Sequence, residues 1–250
     1  MVQHSAEEVV LDPASKRPLK TSGVWGLSWD GGYARISNAV RESGGRVRYS
    51  VDVMQGELGV GLVCGLDIAA FPPGLPEAVG MSEVVYPTPF GEFTGWFAPG
   101  TGSTWLVCVH GRNTMHREML RTVEATRGHG LPTLSVSYRN DEGNPPTDDG
   151  LYHFGRDEWR DLEAAIEYAL ASGATDIVIA AESIGGVVAL WFMHESPLRE
   201  RVRGIVIESP LLDMGSAVLW VGENTSLIPT PVMRLGMAVT ARRFHLTWAD

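Results

Sequence analysis

A serine, Ser183, lies in the segment AESIG at 181–185, between an apolar run and a helical pattern. On a sharp strand-to-helix turn, a serine hydroxyl is lifted above the edge of the sheet. The positions two before and two after it must be small, because backbone segments crowd there. Ala181 and Gly185 meet this requirement. This pattern also occurs by chance, so the apolar run before it and the helical pattern after it must support the assignment. In the alternative interpretation, Ser183 only caps the following helix.

Two backbone amides are candidates to stabilise negative charge that develops on a substrate of Ser183. The N–H of Ile184 would lie at the N-terminus of the following helix, where unpaired amides and the helix dipole favour an anion. The segment HGRN at 110–113 follows another apolar run, and the N–H of Arg112 is the second candidate. We interpret His110 as a residue that packs and hydrogen-bonds to hold this loop, in preference to a general base.

A general base for Ser183 is harder to find. His194 is eleven positions further along, about three helical turns away, and His245 is near the last residue. Before the serine, His153 could lie over the strand ends, but nothing in the sequence fixes its ring within hydrogen-bond reach of Ser183. We expect none of the three to be catalytic.

The elements that would position these residues alternate between strands and helices after Gly102. Apolar runs predict strands at 104–111, 131–139, 175–181 and 202–209, and helical spacing predicts helices from 115, at 156–172 and at 184–194. This alternation is typical of an α/β fold with a mostly parallel sheet and helices on both faces. Thr230 and Pro231 indicate one further helix after a less regular stretch.

The N-terminal part has a different character. Residues 1–20 are polar and contain two prolines, which predicts a flexible arm. Residues 21–82 are rich in glycine and β-formers and predict an antiparallel β section, and a hairpin is expected at about 83–98. The predicted organisation is therefore an arm, an N-terminal β-rich section, and an α/β core over 83–250.

Composition and charge exclude several classes of function. The 250 residues are 44% hydrophobic and 20% charged, which is typical of a globular chain. A formal net charge of -10 disfavours nucleic acid and anionic membrane surfaces as partners, and no membrane span or signal peptide is recognisable. Cys64 and Cys108 belong to no C-x-x-C or Cys/His cluster. We therefore expect no metal, no cofactor and a cytoplasmic location.

A dense group of carboxylates lies in the middle of the chain. Between Asp141 and Glu167 there are nine carboxylates and two arginines. They could form an acidic rim that attracts a substrate amine, or a solvated loop and helix face. The second interpretation is favoured.

Taken in order, these segments resemble the α/β-hydrolase superfamily, in particular bacterial serine hydrolases of the prolyl-oligopeptidase and acylaminoacyl-peptidase type. The similarity covers about residues 83–245 and rests on VCVHGRN, SYRNDEG, DEWRDLEAAIEYAL, AAESIGG and ESPLLD. It implies that Ser183 is the nucleophile and that Arg112 and Ile184 are the oxyanion-hole donors, in hydrolysis of an ester or peptide-like acyl bond of a small-molecule substrate. Ala181 stands where the superfamily commonly has glycine.

The resemblance also implies an acid and a histidine that both follow Ser183, after later strands. The chain ends at Asp250, where the superfamily would enter its seventh strand, so we expect a sheet truncated after the sixth strand and weak or no activity. Asp213 is the nearest stand-in for the acid, although a structural role is favoured. Two alternatives stay open: a catalytically impaired binding module, and a homodimer that pairs through the apolar edge strand at 202–209.

Overall fold

The computed structural model describes residues 2–5, 8–12, 22–67, 70–72, 77, 80–112, 115–225 and 228–244. Within these residues the strands form two six-stranded sheets. The first sheet contains β1 (Val2–Ser5), β2 (Glu8–Leu11), β3 (Trp25–Trp29), β4 (Gly32–Arg41), β5 (Val47–Gln55) and β6 (Gly65–Asp67). The second contains β7 (Ser82–Thr88), β8 (Gly91–Ala98), β9 (Thr104–Val109), β10 (Thr133–Val136), β11 (Asp176–Glu182) and β12 (Val202–Glu208).

The first sheet is antiparallel throughout, in the order β1-β2-β5-β4-β3-β6, which confirms the predicted N-terminal β section. The prediction of a flexible arm over residues 1–20 is wrong at β2, because Glu8–Leu11 forms a strand that pairs with β5. Val9 and Leu11 alternate on one face of β2 and are buried among the apolar side chains of this sheet. Two prolines favoured an arm, but this short alternating segment gains enough apolar contact to join the sheet.

The second sheet has the order β12-β11-β9-β10-β8-β7. Its four strands β12, β11, β9 and β10 are parallel, and β8 and β7 form the predicted antiparallel hairpin at one edge. The other edge is β12. The predicted α/β architecture of a mostly parallel sheet is therefore confirmed.

Helices α1 (Met115–Thr126), α2 (Trp159–Ala171) and α3 (Ile184–Glu195) cover the two faces of the second sheet. Two further helices follow β12, α4 (Met214–Thr225) and α5 (Thr230–Phe244). Along β9, Val107 and Val109 pack in one core with α2 and α3, and Leu106 and Cys108 pack in another core with α1. This alternation follows from the two-residue period of a strand, and burial on both faces explains why the β9 sequence is almost entirely apolar.

The C-terminal region departs from the prediction at α4. The stretch expected to be irregular is a helix that starts after Asp213, whose carboxylate accepts hydrogen bonds from the Ser216 N–H (2.8 Å) and hydroxyl (2.6 Å). The predicted helix at Thr230 is confirmed as α5. The two helices contact each other and leave large apolar side chains exposed, such as Trp220 and Leu235. Among the described residues, no helix is long and apolar enough to cross a bilayer.

Candidate active site

Ser183 occupies a tight turn between β11 and α3. Its backbone has φ 54° and ψ −118°, a left-handed conformation that non-glycine residues seldom adopt. A Cβ added to Gly185 would lie 2.3 Å from the carbonyl oxygen of Val109, and one added to Gly186 would lie 2.5 Å from Ile207 Cγ2. Glycine is therefore required at Gly185, where the first turn of α3 packs against the backbone of β9, and a larger residue at Gly186 would displace side chains of β12 and of the segment after it.

Backbone hydrogen bonds hold this turn at the edge of the parallel sheet. The Ser183 N–H donates to the carbonyl of Glu208 in β12 (2.9 Å), and its carbonyl accepts from the N–H of Gly186 (3.1 Å). The side chain of Ser183 makes no capping hydrogen bond to α3, so the interpretation of Ser183 as a simple helix cap is wrong. Within the part of the chain that the structure describes, its Oγ has no hydrogen-bond partner.

The loop after β9 lies against the serine. A Cβ on Gly111 would be 3.1 Å from Ser183 Cβ and 2.8 Å from the carboxylate of Glu118, so this loop packs closely against the serine. Arg112 follows Gly111 directly, and its side chain is exposed. Ile184 follows Ser183 as the first residue of α3 and is buried. The loop that carries Arg112 and the helix that Ile184 begins thus border the same serine.

A family model described as the alpha/beta hydrolase family matches residues 106–250, which is more than half of the chain. The chain belongs to the alpha/beta hydrolase family. In this family a serine on a strand-to-helix turn is a recurrent arrangement, with backbone amides from that turn and from an earlier loop. The turn at Ser183 and the loop at Gly111 both lie within the matched region.

Solved structures are similar in fold. An esterase from Pyrococcus furiosus superposes with a TM-score of 0.54 at 16% identity, covering 67% of this chain and 63% of that one. A carboxylesterase from Bacillus subtilis gives 0.45 at 17% identity, covering 56% and 47%. An epoxide hydrolase from Vigna radiata gives 0.44 at 15%, covering 51% and 38%. The chain spans less than two thirds of the length of each of these proteins. A search of curated protein sequences finds no match.

In this alpha/beta hydrolase, His110 is completely buried and both of its ring nitrogens are occupied. Nε2 lies 3.0 Å from the Asp141 carboxylate, and Nδ1 lies 2.6 Å from the Gly111 carbonyl. The Tyr138 ring stacks on the imidazole with 4.5 Å between centroids. The interpretation of His110 as a residue that holds the loop is confirmed.

Asp141 connects His110 to the loop after β10. Its carboxylate also accepts hydrogen bonds from the Tyr138 N–H (2.8 Å) and from the Tyr152 hydroxyl (3.0 Å). Burial, together with the negative charge of Asp141, raises the pKa of both tyrosines, so their hydroxyls stay protonated and act as donors. Sequence reasoning missed Asp141, which it grouped with the other acidic residues of the segment.

The interpretation of that acidic segment as a solvated surface is wrong for three of its members, Asp141, Glu158 and Asp161, which are buried. Glu158 accepts hydrogen bonds from the N–H groups of His153 (2.6 Å) and Gly155 (2.8 Å). Asp161 accepts from Arg139, yet burial still raises its pKa to about 6. These three carboxylates accept hydrogen bonds in the interior of the protein, so they do not form an acidic surface for a substrate.

Among the described residues, no other histidine is bonded to Ser183. His153 lies between two carboxylates, with Nε2 3.0 Å from Asp149 and Nδ1 bonded to Asp157. Burial acts to lower its pKa, but these hydrogen bonds outweigh burial and the pKa is raised, which disfavours the neutral ring that a base needs. His194 is exposed and bonded to Glu195, as expected, and His245 lies outside the described residues.

Two carboxylates and an arginine lie beside the serine. Glu118 accepts a hydrogen bond from the Gly111 N–H, and Arg121 bonds to Glu182 (3.2 Å). Burial, followed by the charge of Glu118, raises the pKa of Glu182 to about 7. Sequence reasoning missed Glu118, for which the only signal is an acidic residue in the first turn of α1. Among the described residues, no cluster of His, Cys, Asp or Glu could hold a metal ion.

Proposed function

We propose that the protein is a serine hydrolase that cleaves an ester or peptide-like acyl bond of a small molecule. Ser183 is the nucleophile, and the N–H groups of Arg112 and Ile184 form the oxyanion hole. The single observation that carries the proposal is the turn at Ser183, where a serine with a positive φ is followed at once by α3 and Gly185 lets that helix approach the carbonyl of Val109. Holding a non-glycine residue in that conformation costs about 1–3 kcal/mol, and such strain concentrates at functional sites.

The chemistry follows from the position of the hydroxyl. Ser183 Oγ attacks the carbonyl carbon of the substrate, and its proton passes to a base as the tetrahedral intermediate forms. The negative oxygen of that intermediate accepts hydrogen bonds from the two amides, which are fixed in place before the reaction. The leaving group departs with a proton, and water then releases the acyl group from Ser183.

The unmet requirement is the base, since no described histidine is bonded to Ser183 Oγ. This observation favours a second candidate function, a binding module that keeps the turn at Ser183 and the loop after β9 but is catalytically impaired. An unactivated serine is a weak nucleophile. An oxyanion hole and substrate binding alone gave about 10³ to 10⁴ over the uncatalysed rate in a well-studied serine protease.

A fluorophosphonate probe separates the two functions, because it reacts with serines that are activated for nucleophilic attack. The hydrolase proposal expects covalent labelling of the wild-type protein that is lost in Ser183→Ala. Ser209→Ala is the matched control, since Ser209 directly follows the neighbouring strand β12 and is exposed. Equal labelling of the Ser183→Ala variant, or no labelling of the wild type at high probe concentration, would contradict the hydrolase proposal, and the second outcome favours the binding module.

A further inference from the structure

Two arginines cross the contact between the first sheet and α1, in opposite directions. Arg117 extends from α1 to the first sheet, where its guanidinium donates hydrogen bonds to the Asp67 carboxylate and to the Tyr33 hydroxyl (3.2 Å). Arg35 extends from β4 to α1, where it donates to the Glu124 carboxylate (3.1 Å). Arginine stays protonated and can only donate, so the direction of these bonds is fixed. Two ion pairs at separate points therefore join the first sheet to α1.

Both arginines also bond to the chain that follows β6. Nε of Arg117 donates to the carbonyl of Phe71 (2.5 Å), and Nε of Arg35 donates to the carbonyl of Ala70 (3.3 Å). The Phe71 ring is buried, and the guanidinium of Arg35 lies 4.5 Å from its centroid. This ring packs in one core with apolar side chains of α1, which are Met119, Leu120 and Val123. The helix α1 is therefore packed against the N-terminal section as well as against the second sheet.

The first turn of α1 also contacts the loop after β9. Glu118 directly follows Arg117 in this turn, and its carboxylate accepts a hydrogen bond from the N–H of Gly111. Gly111 precedes Arg112, whose N–H is the proposed oxyanion donor. Glu124 lies near the other end of α1, about 9 Å from Glu118 along the helix axis. Of the two ion pairs, only that of Arg117 is therefore on the turn that contacts the loop.

We infer that Arg117 and Asp67 are positioning residues, through which the first sheet fixes the loop after β9 by holding the first turn of α1. Arg117 donates to three groups outside α1, so this turn cannot shift without the loss of a charge-assisted hydrogen bond. Glu118 belongs to the same turn, and the N–H of Gly111 is bonded to it. The role of the loop in the reaction rests on the proposed function, but the coupling between Asp67 and Gly111 does not.

Tyr33 orients the pair from within the first sheet. Its hydroxyl donates to the Asp67 carboxylate (3.0 Å) and accepts from Arg117, and its side chain is buried. Burial raises the pKa of Tyr33 despite the nearby charge of Arg117, so the hydroxyl stays a donor at neutral pH. Asp67, Tyr33 and Arg117 therefore form one connected hydrogen-bond network between β6, β4 and α1.

Nuclear magnetic resonance of the ¹⁵N-labelled protein tests this coupling without any need for activity. We expect the backbone amide signal of Gly111 to move in Asp67→Asn, which keeps the shape of the side chain but removes its charge. Glu124→Gln is the matched control, since it removes the charge of the other ion pair, and it should leave the Gly111 signal in place. An unmoved signal in Asp67→Asn, or an equal movement in both variants, would overturn the inference. If Asp67→Asn does not fold, Tyr33→Phe removes only the bridging hydroxyl, and the same outcomes decide.

A double-mutant cycle tests whether the pair acts through Glu118. Asp67→Asn should slow probe labelling of Ser183 about 10-fold, since complete loss of an oxyanion donor costs about 10²-fold or more. In a Glu118→Gln background, Asp67→Asn should have no further effect, whereas two independent structural losses would be additive. Additive effects, or equal slowing by Glu124→Gln, would overturn the positioning role. If the wild type does not label, the proposed function fails, and the Gly111 signal still decides the coupling.

Discussion

Two neighbouring strands of this alpha/beta hydrolase end at a glutamate that is followed by a serine. Glu182 ends β11 and precedes Ser183, Glu208 ends β12 and precedes Ser209, and the sheet register places the two glutamates side by side. Both serines have a positive φ, 54° at Ser183 and 48° at Ser209. A serine in a left-handed conformation at a strand end is therefore not sufficient to define a nucleophile.

The two strand ends differ in the residues that come after the serine. After Ser183, α3 begins at once, and Gly185 lets its backbone approach the carbonyl of Val109. After Ser209 the chain continues through Pro210 and Leu211, and the next helix starts only at Met214. A leucine cannot occupy the position of Gly185 in a tight turn. The comparison teaches that the small residue two positions after the serine creates the site.

The largest expected effect concerns that glycine. Gly185→Ala should lower the free energy of unfolding by about 3 kcal/mol, because the new Cβ would lie 2.3 Å from backbone, which cannot move aside as a side chain would. Urea denaturation measures this loss. In the control Gly236→Ala, on exposed helix α5 with no atom within 4 Å of the new Cβ, helix propensity should stabilise by up to about 1 kcal/mol. Equal effects of the two substitutions would show that the turn is not tightly packed.

A smaller effect distinguishes the two glutamates. The pKa of Glu182 is raised to about 7, above its ordinary value of 4.5, so the folded state binds its proton more tightly than the unfolded state does. The stability that this proton confers is complete below about pH 4.5 and is lost as the pH rises through about 7. A change from 4.5 to about 7 corresponds to about 3 kcal/mol, and water at the partly exposed side chain reduces this. Glu182→Gln should therefore be more stable than the wild type by about 2 kcal/mol at pH 8, with the difference vanishing near pH 4.5.

Thermal or urea unfolding between pH 4.5 and 8 checks this dependence. Glu208→Gln is the matched control, since Glu208 is exposed at the adjacent strand end, and it should change stability by less than about 0.5 kcal/mol at any pH in this range. If Glu182→Gln behaves like Glu208→Gln, the site beside Ser183 is as well solvated as the end of β12.

The smallest effect concerns the backbone strain that the two serines share. Ser183→Gly and Ser209→Gly should each stabilise the protein by up to about 1 kcal/mol, because glycine adopts positive φ without a steric penalty, although it also adds entropy to the unfolded chain. Both changes are measured by urea denaturation. Only Ser183→Gly should abolish probe labelling. A loss of stability at both positions would argue against the left-handed conformation.

The sequence predicted the parts of the site that depend on neighbours along the chain. A buried strand, a serine between small residues and a helical pattern are local signals, and they located the turn at Ser183 correctly. Asp141 and Glu118 were missed because their roles arise from contacts with the loop after β9. Asp141 reaches His110 across 31 positions in sequence, and its acidic neighbours in the chain are mostly exposed, so nothing local marks it as buried.

The errors in secondary structure have a similar origin. Glu8–Leu11 joins the first sheet because β5 offers an edge with which to pair, and that partner is distant in sequence. The helix α4 contains two glycines and lacks basic residues, so its intrinsic helix signal is weak. Its start is stabilised by the hydrogen bonds that Ser216 donates to Asp213, a residue that the sequence analysis named as a stand-in acid and that the structure shows as a helix cap.

The most direct measurement is the site of covalent modification in the wild-type protein. The protein would be treated with a fluorophosphonate, digested, and mapped by mass spectrometry, which reads Ser183 and Ser209 in one experiment. We predict adduct at Ser183, at up to one label per chain, and none at Ser209. Adduct at Ser209 or elsewhere with Ser183 unmodified, or equal modification of both serines, would contradict the assignment of Ser183 as the nucleophile.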